Sequence, residues 1–342
     1  MSAEGRLMAA EIAEQPEVWR RQLTEGAERI AAAAARIADA APRFVLFVAR
    51  GSSDHAALYA KYLVEIVHGL PAGLVSPSTM TVYGARPKLD DVLYVAVSQS
   101  GGSPDLVRSV EVARERGALT LAVTNNADSQ LAAAAEIHVD VLAGAERSVA
   151  ATKSYTAELL ALYLLFGSRD GRDATHLPDL GDRVLSHDVD GIAGRYRFAQ
   201  RLITTGRGYS YPTAREAALK LMETCYLSAQ AFSGADLLHG PLATVDAQVP
   251  VVALVPDGRS GHAMLPVLSR LAERGADVLV VGAGPAGALG HTARIALPAG
   301  IPEELSPLLE ILPLQKLSLR LAVDRGEDPD NPRGLHKVTK TL

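Results

Sequence analysis

Among 342 residues there is a single cysteine, Cys225. That scarcity excludes a disulfide framework and a cysteine-built zinc site. No window approaches eighteen uninterrupted apolar residues, which argues against a membrane-spanning helix. The opening stretch MSAEGRLMAAEIAEQPEVW carries acids and lacks an apolar signal core, so export is not expected. Lys plus Arg is 34 against 39 for Asp plus Glu, a formal net charge of −5, which excludes a broad basic footprint for nucleic acid. Neither a Gly-Lys-Ser/Thr P-loop, a dinucleotide fingerprint nor a His-Glu-x-x-His metal motif is present. What remains is 48% apolar and 21% charged, the balance of an ordinary globular protein. The expectation is a cytoplasmic enzyme of about two domains, from the length of 342 residues.

The first 40 residues read as helix. Ile12, Trp19 and Leu23 keep apolar spacing, and an alanine-rich stretch from Ile30 to Ala41 follows. Apolar runs then alternate with helical stretches: Phe44–Val48, Val92–Val97, Leu119–Val123 and Ile137–Val141. Continuous runs of this kind, separated by helices, predict a parallel sheet covered on both faces. The pattern repeats. Glu115-Arg116-Gly117-Ala118 precedes one strand and Glu273-Arg274-Gly275-Ala276 another, and the run ending at Val97 has a counterpart ending at Val255. The turn Ala49-Arg50-Gly51-Ser52-Ser53 is likewise echoed by Gly206-Arg207-Gly208-Tyr209-Ser210 at nearly the same spacing. Together these predict an α/β chain with two doubly wound parallel-sheet domains in tandem. Residues 1–185 would hold the N-terminal helices and the first domain. Residues 186–342 would hold the second domain and a polar tail from Arg325, with a linker near Gly167 to Asp190.

Three segments carry chemistry. Ser98-Gln99-Ser100-Gly101-Gly102-Ser103 lies between a buried strand and a helix start. Unpaired N–H groups and small hydroxyls there suit a phosphate, although a plain glycine-rich turn would look similar. Ser52 and Ser53 form a second hydroxyl turn at the same strand edge. In the second repeat, Glu216, Lys220 and Glu223 occupy one helix face at i, i+4 and i+7. They read either as a solvated charged stripe or, because the helix starts at a strand's C-terminal end, as part of a site. His239 stands in a tight Gly-Pro turn and has the chemistry for proton transfer. His55 fits a helix start, and Cys225 reads as a packed small hydrophobe.

The chain resembles the sugar isomerase (SIS) family over nearly its whole length, in particular the isomerase half of glucosamine-6-phosphate synthase. The matching segments are Met8 to Pro16, Ser98 to Gly101, Ala143 to Lys153, Glu216 to Glu223, His239 to Leu242, Leu312 to Gln315 and Asn331 to Thr339. Gly102 and Ser103 replace the Glu-Thr of the synthase, and Ala151 replaces a sugar-contacting serine. The strings around Gly51-Ser52-Ser53-Asp54 and Ser148 to Ser154 look more like stand-alone SIS-type glucosamine-6-phosphate deaminases. No glutaminase segment is seen, so glutamine hydrolysis by the chain alone is not expected. The resemblance implies a phosphate held by Ser98, Gln99, Ser100 and Ser103 with Ser53, in a substrate site that also includes Gly51, Ser52, Val149 and Ala150. It implies ring opening by His239, a C2-to-C1 proton shuttle by Glu223, support from Lys220 and Glu216, and a sugar contact by Lys337. It also implies a homodimer in which His239 is contributed across the interface, and no metal or organic cofactor. The expected reaction is hydrolytic release of ammonia from glucosamine 6-phosphate to give fructose 6-phosphate. Alternatives are a fructosamine-6-phosphate deglycase, an amino-transferring isomerase and a non-catalytic sugar-phosphate sensor.

Overall fold

A computed structural model describes residues 4–167, 172–285 and 292–337. Two compact units emerge. The first comprises residues 17–146, 153–175 and the end of the chain from His336; the second comprises residues 1–16, 147–152 and 176–335. This grouping is not contiguous along the chain, unlike the split expected at 185/186.

In the order of the chain, the helices before the first sheet are α1 (Arg6–Ala13), α2 (Gln15–Arg21) and α3 (Ala27–Ala40), with a π-helical stretch Gln22–Gly26 between the last two. On α3, Ile30, Ala33 and Ile37 are buried, the stripe expected of an amphipathic helix whose alanines favour the conformation. The first sheet contains β1 (Phe44–Val48), β2 (Ala72–Leu74), β3 (Val92–Ser98), β4 (Leu119–Thr124) and β5 (Ile137–Asp140). Between and after these strands run α4 (Ser52–Leu63), α5 (Ser78–Thr81), α6 (Pro104–Glu115), α7 (Gln130–Ala134) and α8 (Lys153–Phe166). All pairings are parallel, in the order β2-β1-β3-β4-β5. Six of the seven residues of β3 are buried, as the unbroken apolar run requires of a strand covered on both faces.

The second unit repeats this design. After α9 (Leu177–Leu185) and α10 (Asp190–Tyr196) come β6 (Arg201–Gly206), α11 (Ser210–Cys225), β7 (Ser228–Ser233), α12 (Gly234–Leu238) and β8 (Pro250–Leu254). Then follow α13 (Arg259–Glu273), β9 (Asp277–Gly282), β10 (Ala293–Ala296) and α14 (Ser306–Asp324). The order β10-β9-β8-β6-β7 is the same topology as the first sheet, again fully parallel. The repeated Glu-Arg-Gly-Ala turns end α6 and α13. Gly117 and Gly275 both take positive φ there, 91° and 65°, the left-handed conformation that closes a helix most cheaply with glycine.

Three strands escaped the sequence reading: β2, β7 and β10. All lie at sheet edges, where one side lacks a neighbour and the apolar run is short. The expected linker is largely helical instead. Leu177, Val184, Ala193 and Tyr196 are buried on α9 and α10, while residues 168–171 lie outside the described residues. Part of the expected tail, around the buried Asp330, is packed as well. Asp330 accepts from the backbone N–H groups of Leu7 and Met8 at 2.9 Å each, which satisfies the open start of α1. Within the same unit, Glu11 accepts from the N–H groups of Arg147 and Ser148, and Gln15 donates to Gln315 at 2.8 Å. The Met8 to Pro16 motif thus has a structural purpose: it fastens the segment containing Val149 and Ala150.

Candidate active site

In sheets of this order, ligands gather where the strand order reverses, at the carboxyl ends of the first and third strands. In the first unit that edge carries the turn after β1 and the loop after β3. Both Ser98-to-Ser103 and Gly51-to-Ser53 therefore reach one edge of one sheet. Ser98 Oγ accepts from Gly101 N–H at 3.2 Å, and Ser100 Oγ accepts from Gly102 N–H at 3.3 Å. A hydroxyl that accepts from the backbone keeps its own proton to donate to a ligand oxygen. Ser103 precedes α6 in extended conformation, its hydroxyl makes no cap, and Pro104 opens the helix. Gln99 anchors the loop through its carbonyl, which accepts from Asn125 N–H at 3.1 Å. These groups bring the serine hydroxyls to the loop where the sequence analysis expects a phosphate.

Ser53 is placed differently from the other serines. Its hydroxyl donates to Glu158 Oε1 at 2.8 Å, so that proton is engaged inside the fold and Ser53 cannot offer it to a phosphate at the same time. Ser52 is buried at the start of α4, with His55 one turn on. Val149 and Ala150 group with the second unit, not with the loop. Lys337 pairs with Glu146 at 2.7 Å, and Glu146 is fully buried. Glu146 also accepts from the Ser154 hydroxyl at 2.6 Å and the Ser154 N–H at 3.1 Å. The lysine is thereby held next to a fixed carboxylate.

The second unit supplies the other cluster. Glu216, Lys220 and Glu223 do share one face of α11, but they are no solvated stripe. Lys220 lies 3.3 Å from Glu216 and 2.5 Å from Glu223, with Glu216 and Lys220 almost wholly buried and Glu223 23% exposed. Burial alone would pull the Lys220 ammonium down; the two carboxylates outweigh it and hold its pKa above the ordinary lysine value. Of the trio, only Glu223 retains access to a ligand. Glu216 and Lys220 form a buried ion pair behind it. His239 is exposed at the end of α12. Cys225 is buried, with Sγ 3.2 Å from the Ser318 carbonyl. Burial pushes its thiol up to about 11, against which the Thr224 hydroxyl works, so it is a packed side chain.

The two sheets differ at the reversal point. In the second, the N–H groups of Arg259 and Ser260 at the start of α13 each donate at 2.8 Å to the Glu303 carboxylate. Gly258, at φ 137°, makes room for it; a Cβ there would stand 2.3 Å from Glu303 Oε2. The start of α13 is thus capped by the protein's own carboxylate, whereas at the start of α6 the Ser103 hydroxyl makes no cap. A second duplicated pair went unread in the sequence: Ser210 donates to Glu310 at 2.8 Å, just as Ser53 donates to Glu158. Seryl–glutamyl pairs separated by some hundred residues leave no local signal; only alignment of the two repeats could have exposed them.

A family model for the SIS domain matches residues 40–168 and 196–325. The chain belongs to the SIS domain family. The two matched SIS segments contain the two parallel sheets. The glutamine–fructose-6-phosphate aminotransferase [isomerizing] of Methanothermobacter thermautotrophicus is 36% identical over 339 residues, covering 96% of this chain and 56% of that protein. The chain thus spans about half the length of the curated relatives it matches, the part that corresponds to their isomerase half. Among solved structures, a candidate phosphosugar isomerase of Silicibacter pomeroyi DSS-3 superposes with a TM-score of 0.87 at 35% identity, covering 95% of this chain and 99% of that one. The C-terminal domain of glucosamine-fructose-6-phosphate aminotransferase from Francisella tularensis gives 0.84 at 26% identity, covering 96% and 99%. Among the described residues, no helix is long and apolar enough to cross a membrane.

Proposed function

We propose that this SIS protein is an aminosugar-phosphate isomerase that releases ammonia, converting glucosamine 6-phosphate and water to fructose 6-phosphate and ammonia. The observation that carries the reading is the accessible carboxylate of Glu223 backed by a buried Lys220–Glu216 pair. A carboxylate so held can take one proton and return it to the neighbouring carbon.

The reading assigns the phosphate to Ser98, Gln99, Ser100 and Ser103. His239 opens the pyranose ring. Glu223 then removes the C2 proton of the open-chain aldehyde, leaving an enolamine, and returns it to C1. The product is a C2 imine; water adds at C2 and ammonia departs. Lys337 binds the open-chain sugar, held in place for that contact by its pairing with Glu146. The protein works as a homodimer in which the partner's His239 serves each site, and its exposure on α12 suits that arrangement.

An ammonia-release assay over a panel of aminosugar 6-phosphates tests the proposal. Ammonia and fructose 6-phosphate should form in equal amounts from glucosamine 6-phosphate, at a rate unaffected by glutamine. Cleavage of fructosamine 6-phosphate with none of glucosamine 6-phosphate would transfer the assignment to a deglycase. Glutamine-dependent synthesis would transfer it to an amino-transferring enzyme.

A further inference from the structure

The turn after β1 holds a residue that no motif singled out for a role. Arg50 directs its guanidinium to Asp105, with Nη2 at 2.8 Å and Nε at 3.1 Å from Oδ2. Asp105 lies in the first turn of α6 and is 1% exposed, while Arg50 remains 47% exposed. The arginine is thus fixed against Asp105 in the first turn of α6, whose N-cap residue is Ser103. Only one edge of the guanidinium is engaged, which leaves its other N–H groups for a ligand. Its neighbour Gly51 opens on free space: a Cβ there would meet nothing within 4 Å.

We infer that Arg50 is a phosphate-binding residue of this chain, pinned by Asp105 so that its free edge meets the dianion of a phosphate monoester. The inference rests on the proposed binding of a sugar phosphate at the Ser98-to-Ser103 loop. Electrostatics supplies the argument. Serine hydroxyls and a helix start carry only partial positive charge. The carboxylate of Asp105, in that same first turn, opposes an anion. Arg50 cancels this charge and adds a planar donor fork, the geometry that matches phosphate oxygens. Asp105 in turn restrains a long side chain that would otherwise lose rotamer freedom on binding.

The rival role for Arg50 is neutralisation of Asp105 alone, and a paired substitution separates the two. Arg50→Met by itself strands a buried carboxylate and destabilises the unit. Arg50→Met combined with Asp105→Asn removes both charges and should recover the melting temperature. Titration calorimetry with inorganic phosphate then reads the ligand directly. The double variant should bind phosphate about 10- to 100-fold more weakly than the wild type, the worth of a charge-assisted hydrogen bond. Arg50→Lys, which keeps the charge and loses the fork, should fall between the two. A folded double variant that binds phosphate within about twofold of the wild type would overturn the inference, because neutralisation would then be the whole role. A wild type that binds no phosphate would overturn it as well. Phosphate binding that depends on Arg50, in a protein releasing no ammonia from any aminosugar phosphate, would sink the deaminase reading and leave this one standing.

Discussion

At the scale of single residues, the decisive contrast lies within one helix face. Glu216, Lys220 and Glu223 share that face, yet two are sealed and one is accessible. Glu223→Gln keeps the shape and removes the proton acceptor. Turnover should fall by about 10² to 10⁴, the usual worth of a general base, while inorganic phosphate binds as before. Near-normal turnover would remove Glu223 from the mechanism. Ser100 belongs to a different class of contact. Its hydroxyl would touch a phosphate that does not change during the reaction, so it binds ground and transition states alike. Ser100→Ala should raise KM about tenfold with kcat nearly kept, and steady-state kinetics separates the two parameters. A fall confined to kcat would place this serine at the reacting carbons. The alternation of hydroxyl and glycine in that loop was legible in the sequence. The destination of the Ser53 proton was not, because Glu158 stands 105 residues away.

Secondary-structure elements bring distant carboxylates into positions that spacing could not foretell. Glu310 on α14 is fully buried against Ser210, and its Oε2 has no hydrogen-bond partner among the described residues. Burial pushes its carboxyl from 4.5 up to about 8; the Ser210 hydrogen bond opposes the shift and Glu303 adds to it. Below pH 4.5 folded and unfolded chains both carry this proton. Between there and about pH 8 only the folded chain does, so the unfolded state gains from ionising and stability declines as pH rises through that window. Glu310→Gln abolishes this linkage. Melting curves of the variant should therefore lose less stability than the wild type between pH 5 and pH 8, and parallel pH profiles would show that Glu310 is not the group responsible. At the start of α13, Gly258→Ala should dislodge the Glu303 carboxylate, since the new methyl collides with it. A cost of about 1 to 3 kcal/mol is expected from a left-handed backbone and two orphaned N–H groups. Chemical denaturation measures it, and an unchanged midpoint would mean that Glu303 contributes nothing there.

For the whole molecule, the testable question is which copies complete a site. Glu223→Gln and His239→Asn are each expected to be inactive. Co-refolded together, they should regain activity if each site draws on the partner's His239, because mixed dimers contain one site with both native residues. Absence of recovery in a mixture shown to contain mixed dimers would place both residues in one chain's site. The sequence by itself determined much of this architecture. Apolar runs set the central strands, alanine content set the N-terminal helices, and the repeated Glu-Arg-Gly-Ala turns announced two copies of one sheet. Those features act through neighbours a few residues apart, so composition and period suffice to read them. Only the tertiary structure decided that Lys220 is buried, that Arg50 meets Asp105, that Glu303 caps α13, and that residues 1–16 group with the second sheet. Each of these depends on which side chains meet across large sequence separations. Burial and charge pairing are set by those encounters, and no local pattern contains them.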